Sequence, residues 1–553
     1  MSTAMYRIVA GDYRGVGEAS SGLKGLLKRV GAEPAAVRRA MIAAYEAESN
    51  VAIHSVGGEM RVRLDDGVLE VEVVDGGPGI PDIELAMREG YSTAPPEARE
   101  LGFGAGMGLA NIKRNSDRFD IESGPGRGTR LRFTIFFAAQ AAAGGGLGAV
   151  AVVAGRCRGC LRCLHACPTE ALRVRGRTPH VLEHLCIGCG ACIAACTAGA
   201  LAVKGLVETL PEARGAVLVA PAALLVQLGL RVGPQALLKA LGELGFGEVR
   251  VTEGWERALA EAVARFAREE AKSLPVISPA CPAVVSLIEM RFPSLLGHLA
   301  PFVSAGEAAR AGVAGRDAVV VAGCPAQCSA LAGPSASPAR IVAPAAVMQA
   351  VMRLVADGGH GAADADAGRG TRRARPEEPA REVLRVTGLR HVIAVLEAAE
   401  NGQLADAAVI EPWACRGGCF GSPLLREEAA IACWRWERAK ANAGCGLRNA
   451  ESQTAQAEAR VAESQMAAAP VAVRRERAFA ARRGLRLDED LGRAIAKLGE
   501  MDRLLRQLPG TDCGACGAPS CRALAEDVVL GRARGISECR MRTQDAQSEG
   551  PVA

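Results

Sequence analysis

The chain has 553 residues, of which 49% are hydrophobic, 23% charged and 3% aromatic, with 66 Lys and Arg against 61 Asp and Glu. A formal charge of +5 is small for this length and no dense Lys/Arg block occurs, so nucleic acid is excluded as the default partner. The length predicts several domains, and the 19 cysteines gather in tight CxxC groups between long cysteine-free stretches, which fits metal sites in a reducing compartment and not a secreted disulfide scaffold.

The stretch MSTAMYRIVAGDYRG at the start lacks a basic-then-apolar signal pattern. The most apolar run, GAVLVAPAALLVQLGLRVG at 215–233, is too short to span a bilayer and is broken by Pro221 and Gln227; it reads as a buried strand followed by a helix. The expectation is a cytoplasmic, multidomain α+β protein with neither membrane nor nucleic acid as partner.

Residues 1–137 hold no cysteine. AAYEAESNVAIHS is helix-like and puts Glu46 and Asn50 four apart, on one face. VEVVDGGPGIPD follows as a strand ending in Asp75 and a glycine-rich loop. GYSTAPPEARELGFGAGMGLANIKRNSD adds a second glycine-rich loop, and GPGRGTRLRFTIF a closing strand. Glycines let backbone approach phosphate, and a loop that opens a helix points its N–H groups at anions. In this order the segments resemble the Bergerat-fold ATPases, the family of histidine kinases, Hsp90 and the anti-sigma-factor serine kinases. The resemblance implies an α/β sandwich with Asn50 on Mg²⁺, Asp75 on the adenine amino group of ATP, Gly77 and Gly79 shaping the adenine pocket, and Thr129 supporting the base. It further implies a phosphate lid from Gly102, Gly104, Gly106 and Gly108, and Glu46 as general base. No phospho-acceptor histidine helix precedes the segment, so it looks closer to the serine kinases. A domain that binds ATP without turnover is the alternative, and His54 reads as structural.

After a flexible stretch at 138–149 come CRGCLRCLHACP and CIGCGACIAACT, two CxxCxxCxxxC runs that form an internal repeat. Three cysteines at two-residue gaps wrap one cubane, and the fourth reaches across to the other. Cys157, Cys160, Cys163 and Cys196 should then hold one [4Fe–4S] cluster, and Cys186, Cys189, Cys192 and Cys167 the other. Residues 150–205 resemble the bacterial two-cluster ferredoxins. Zinc sites would leave the exchanged fourth cysteine and Pro168 poorly explained.

Between 206 and 425 three loops recur, SPACPAV, AGCPAQCSA and PWACRGGCFGSP. Taken in order they resemble the loops of the iron-only hydrogenase large subunit. The resemblance implies that Cys281, Cys324, Cys415 and Cys419 hold a cubane, with Cys419 at the bridge to a two-iron half. The departures are Ala280 where the family has a proton-carrying cysteine, Gln327 for a lysine on a cyanide ligand, Ala330 for a glutamate, and Trp413 for a methionine packed on the diiron unit. A neutral amide cannot give a lysine's charge-assisted bond, and alanine cannot carry protons. The pattern points toward a sensory or electron-transfer domain, and whether a diiron unit is built stays open. Cys328 is spare, a small buried residue or a substitute ligand.

A low-complexity stretch at 356–382 reads as a loop, and 426–480 as a linker that is disordered or a solvated helix, with Cys433 and Cys445 given no role. LDEDLGRAIAKLGEMDRLLRQL has helical periodicity and precedes LPGTDCGACGAPSCRALAEDVVLGRARGISEC, within 481–545. The latter resembles a small four-cysteine iron–sulfur module, which implies a further [4Fe–4S] cluster on Cys513, Cys516, Cys521 and Cys539; a zinc knuckle is the alternative. The whole predicts a regulatory protein whose clusters report redox state or hydrogen to an ATP-binding, serine/threonine-kinase-like domain acting on a partner protein. The alternative is a hydrogenase or electron-transfer subunit with a redox partner.

Overall fold

Alternating apolar and polar residues set the first sheet. β1 (Ser2–Ile8), β2 (Gly58–Asp65), β3 (Val68–Asp75), β4 (Arg118–Ser123) and β5 (Thr129–Phe136) pair antiparallel in the order β1-β2-β3-β5-β4. Met60, Val62, Leu64, Leu69, Val71, Val73, Leu131, Phe133 and Ile135 point to one buried face. The residues between them are charged and pair across strands, as Arg132 with Glu72 at 3.0 Å. α1 (Glu18–Val30) and α2 (Pro34–His54) pack in the same core, α2 through small residues such as Ala40, Ala43, Ala44 and Ala47. A short α3 (Gly108–Arg114) ends the second glycine loop.

In the computed structural model of the chain the described residues are 2–101, 103–139, 148–212, 214–228, 233–332, 340–357, 383–404, 406–446 and 472–541. They divide into two compact units, one from residues 1–144 and 483–553, the other from residues 145–482. Gly102, residues 358–382 of the low-complexity stretch, and residues 447–471 of the insert lie outside the described residues.

The second unit begins with a folded repeat. β6 (Val150–Val152) pairs with β9 (Leu201–Val203), and β7 (Leu172–Arg175) with β8 (Thr178–Val181). α4 (Arg162–Ala166) and α5 (Ala191–Ala195) each follow two cysteines of a run, carry the third (Cys163 or Cys192) and precede the fourth. Two parallel sheets come next. β10 (Val217–Ala220), β11 (Glu248–Val251), β13 (Ala318–Val321) and β14 (Arg340–Val342) form the order β11-β10-β13-β14, and β12 (Val276–Ile277), β15 (Val383–Thr387) and β16 (Val409–Trp413) the order β12-β16-β15. VLVA and AVVV are buried at every residue, as strands covered on both faces require. The SPACPAV, AGCPAQCSA and PWACRGGCFGSP loops leave the carboxyl ends of β12, β13 and β16, where open α/β sheets place their ligands. Around them lie α6 (Glu253–Glu269), α7 (Pro282–Arg291) and α8 (Pro325–Leu331).

The insert after 426 differs from the expected disorder or solvated helix over its first part. α9 (Ala429–Gly446) carries a fully buried Ala432, and the Cys433 thiol donates to the Gly417 carbonyl at 3.5 Å. Small residues on one helix face let it lie against the loop that bears Cys415 and Cys419.

The first unit is completed by α10 (Leu491–Arg506) and α11 (Cys521–Val529). Asp490 caps α10 by accepting from the Arg493 amide. Its buried stripe, Ala494, Ile495, Leu498 and Met501, shares one core with Leu23, Leu27 and Val30 of α1. The four-cysteine module is thus part of the ATPase-like unit. Among the described residues no helix is long and apolar enough to cross a membrane.

Candidate functional sites

Glu46 and Asn50 sit one turn apart on α2, both half-buried, and line a cavity of about 780 Å³ with Asp75, Gly79, Gly104, Gly106, Gly108 and Thr129. That volume suits a nucleotide-sized ligand. Asp75 ends β3 directly opposite Thr129 on β5. One oxygen of Asp75 accepts from Ser55 Oγ at 2.7 Å and from the Gly77 amide at 2.8 Å. The carboxylate is therefore fixed in orientation. Thr129 Oγ1 meets Ser123 Oγ at 3.0 Å, and Ser123 also holds the Ile80 amide, so the start of β5 and the first glycine loop are tied together. Gly79 has φ +73°, and a Cβ there would stand 2.0 Å from the Gly124 carbonyl oxygen, so no other residue fits. Gly108 brings the start of α3 so near α2 that a Cβ would lie 3.1 Å from Asn50 Oδ1 and 3.4 Å from Glu46 Oε2. Asn111, one turn on, donates to Glu46 Oε1 at 2.7 Å. Gly77 lies beside Ser55 at the mouth of the adenine side.

In the ferredoxin-like part, burial raises the Cys163 thiol most, and Cys196, Cys157 and Cys160 raise it further. Cys192 is raised by burial and then by Cys167, Cys189 and Cys186. Those two neighbourhoods match the two sets read from the repeat, exchanged fourth cysteine included. Amides of Gly159, Ala171 and Ala200 donate to Cys157, Cys167 and Cys196 at 3.4, 3.2 and 3.2 Å. Buried neutral thiols that raise one another favour a positive group among them, and amide–sulfur bonds stabilise thiolate, so these residues fit [4Fe–4S] clusters.

Cys281 and Cys324 are the N-cap residues of α7 and α8, each followed by a proline at the first helical position. Cys324 Sγ accepts from the Gln327 amide at 3.4 Å. Both thiols stand where helix ends favour negative charge. Cys419 is pushed well up by burial, then by Glu256, Cys281, Cys324 and Cys415, and Cys415 is pushed up to about 12 by burial and Cys281. The four line one small cavity together with Cys189. Burial lifts Cys189 to about 12, with Cys415 among the smaller causes, and the Ala326 amide donates to the Gly188 carbonyl at 3.0 Å. One ferredoxin-like cluster site thus adjoins the cubane site of the hydrogenase-like part.

Gln327 is tied on both sides. Its Oε1 accepts from the Gly323 amide at 2.9 Å, and its Nε2 donates to Cys419 Sγ at 3.7 Å. Gln327 therefore ties the Cys324 loop to Cys419. Beside it lies a pocket of about 130 Å³ lined by Thr252, Glu256, Ala280, Glu411, Trp413 and Cys419 among others. No lysine, arginine or histidine lines it. Thr252 Oγ1 donates to Glu256 Oε1 at 2.8 Å, and burial pushes the Glu256 carboxyl up against that bond. Cys328 is buried in the core with Val320 and Leu331 and donates to the Lys204 carbonyl at 3.5 Å, the small-buried-residue reading.

In the four-cysteine module, burial raises Cys516, with Cys539 and Cys513 adding to it. Cys521 opens α11, and its amide donates to Asp512 Oδ1 at 2.6 Å. Cys516, Cys521 and Cys539 pack on the unit's core. Among the described residues no three His, Cys, Asp or Glu side chains are gathered as the shell of a single ion.

Comparison with known proteins finds family matches to four stretches of the chain. Family models match residues 36–139 as a histidine kinase-, DNA gyrase B- and HSP90-like ATPase, 149–197 as a 4Fe-4S dicluster domain, 214–313 as the C-terminal domain of the iron only hydrogenase large subunit, and 508–541 as a putative Fe-S cluster module. The serine/threonine-protein kinase RsbT of Bacillus subtilis is 32% identical over 98 residues, 17% of this chain and 68% of that kinase. The chain belongs to the histidine kinase-, DNA gyrase B- and HSP90-like ATPase family. Within that ATPase family an anti-sigma F factor of Caldanaerobacter subterraneus is 35% identical over 97 residues, 17% of this chain; the chain spans 64% of that relative's length, just under two thirds. An apo iron–iron hydrogenase from Chlamydomonas reinhardtii aligns with 41% of this chain and 84% of its own, at 16% identity and a TM-score of 0.31.

Of the residues read from sequence, Glu46, Asn50, Asp75, Gly79, Gly104, Gly106, Gly108 and Thr129 line one cavity and Cys281, Cys324, Cys415 and Cys419 another, and Gly102 lies outside the described residues. Those missed were Asn111, Glu256 and Glu48. Asn111 stood in view, three residues into the helix after the glycine loop. Glu256 left no mark, because it sits on a helix that carries no cysteine. Glu48 lies two residues from Glu46, on the far side of α2, where its buried carboxylate takes the Ala19 and Ser20 amides at 3.0 and 3.1 Å.

Proposed function

We propose that this chain is an iron–sulfur regulatory protein whose ATPase-family domain phosphorylates a partner protein on serine or threonine, in a reducing, cytoplasmic compartment. The observation that carries the reading is the α2–α3 constellation: Glu46 and Asn50 on one helix face, closed over by the Gly108 helix start, opposite the anchored Asp75. In this reading the free oxygen of Asp75 accepts the adenine amino group, Asn50 holds Mg²⁺, and the amides around Gly104, Gly106 and Gly108 face the phosphates. Glu46, oriented by Asn111, takes the proton of the attacking hydroxyl. The partner is of the class that the kinase and anti-sigma relatives suggest by name, a component of sigma-factor control. Four [4Fe–4S] clusters on the sixteen grouped cysteines supply one-electron redox chemistry when bound.

A second reading, a hydrogenase or electron-transfer subunit, draws on the pocket beside Cys419. That pocket offers two carboxyls and no cation, so the donor set does not fit an anionic, cyanide-bearing diiron unit, and no step is derived through one. The test is anaerobic purification after co-expression with hydrogenase maturation proteins. Phosphate transfer from MgATP to a serine or threonine substrate, and no infrared bands of iron-bound CO or CN⁻, is the expected result. Hydrogen uptake with such bands, and no nucleotide binding, overturns the kinase reading in favour of the second.

A further inference from the structure

We propose that the four-cysteine module at 513–539 is the redox centre that sets the state of the ATP pocket, with Glu48 and Arg29 as the positioning residues between them. This rests on the reading of the pocket as a kinase site.

α1 is held at both ends by buried charge. Its N-cap is Gly17, which has no side chain to offer, and the first amides are taken by the Glu48 carboxylate of α2. Glu48 is 2% exposed and stands two residues from Glu46 and two from Asn50. At the other end, Arg29 pairs with Glu526 of α11 at 3.0 Å, the two side chains 12% and 9% exposed. Between the ends α1 runs unbroken from Glu18 to Val30, with Gly22 seated on the Tyr6 ring, where a Cβ would come within 2.4 Å. A displacement at Glu526 therefore reaches the turn of α2 that carries both proposed catalytic-site side chains.

The far end of this strut is built to feel charge. α11 begins at Cys521, and Glu526 follows about 7.5 Å along the axis at 1.5 Å per residue. Glu526 and the fully buried Asp527 face Arg532 at 3.7 Å each, with Arg29 as the second cation. On the α10 side, burial raises Asp502, while Arg522, Arg506 and Arg29 lower it. Arg29 thus lies among carboxylates from two helices of the module. The redox step is one electron, from a low-potential ferredoxin-class donor in the cell or dithionite in vitro; no bond forms or breaks and no proton moves. One more negative charge held among the thiolates redistributes the pull on Arg29, and α1 and Glu48 follow.

The test uses the full chain with its clusters, titrated anaerobically with MgATP before and after dithionite. The expected wild-type result is a difference in Kd of about fivefold or more, with altered hydrogen exchange at the Ala19 and Ser20 amides. Arg29→Met combined with Glu526→Leu removes the ion pair without stranding a charge, and should abolish both differences. Cys513→Ala should abolish them too, Cys324→Ala should leave them, and Arg29→Lys should restore much of the coupling. A difference that survives in the double variant, or that vanishes with Cys324→Ala and not Cys513→Ala, overturns the proposal. If the wild type binds MgATP equally in both states, the proposal falls and the pocket reading stands; if it binds none, the pocket reading falls and takes the proposal with it.

Discussion

The ATP pocket and the pocket beside Cys419 differ in what holds their polar groups. In the first, each polar group is held by a neighbour that aims it inward: Ser55 and Gly77 on Asp75, Asn111 on Glu46. In the second, Gln327, which lines the pocket, is engaged by the Gly323 amide and by Cys419 Sγ. The thiols of Cys281, Cys324, Cys415 and Cys419 are buried and grouped, and the space next to them is lined by the carboxyls of Glu256 and Glu411. Electron storage and substrate chemistry are separable in such a scaffold. A frame for a cubane needs helix starts and strand ends, while the neighbouring pocket needs particular side chains.

The largest effect expected tests the pocket that is intact. Glu46→Gln should cut phosphoryl transfer by about 10² to 10⁴-fold with nucleotide affinity little changed, whereas Asp75→Asn should act on affinity, by about tenfold or more given 1.5–3 kcal/mol for a charged hydrogen bond. Rates and Kd measured on the same preparations check it; equal loss of both quantities in both variants would erase the distinction between a base and an anchor.

A smaller effect sharpens the contrast from the other side. Gln327→Leu removes the N–H donated to Cys419 Sγ, so the more negative, reduced state of the cubane loses a partner. Its potential should fall by about 20–65 mV, a net hydrogen bond of 0.5–1.5 kcal/mol for one electron. A potentiometric titration followed by electron paramagnetic resonance reads this, and an unmoved potential would mean that the amide does nothing for the cluster.

The smallest effect concerns His54, at the end of α2, whose imidazole burial holds below its usual value of 6.5. Between that lowered value and 6.5 the unfolded chain binds a proton that the native one does not. Stability of the first unit is therefore full above about pH 6.5 and declines as pH falls through the window. Hydrogen exchange of the α2 amides at pH 5.5 and 7.5 should show the decline after correction for intrinsic rates, and His54→Gln should flatten it.

Much of this was legible in the sequence because local spacing carried it. CxxCxxCxxxC wraps a cluster whatever surrounds it, and Cys-Pro announces a helix start beneath a thiol. Glu46, Asn50, Asp75 and the glycines were legible for the same reason, as each lies within a short ordered segment. What escaped depends on residues brought together from afar. Glu256 reaches Cys419 from a helix more than a hundred residues upstream. The insert after 426 reads as polar low complexity, yet Ala432 and Cys433 seat its first helix on the cubane loop. The helix 491–506 announced its apolar stripe, but not that α1 would cover it.

The first unit is discontinuous, with residues 145–482 standing between its two parts. Closing so long a loop costs little at equilibrium, since each doubling of length adds only about 0.6 kcal/mol, but it imposes an order in time. As the chain leaves the ribosome, Leu23, Leu27 and Val30 of α1 wait with their apolar surface uncovered until Leu498 and Met501 are made. The ATP site is therefore finished only after every ferredoxin-like and hydrogenase-like cysteine has been translated. A chain interrupted before residue 491 leaves a sticky, incomplete domain for proteases and chaperones to find.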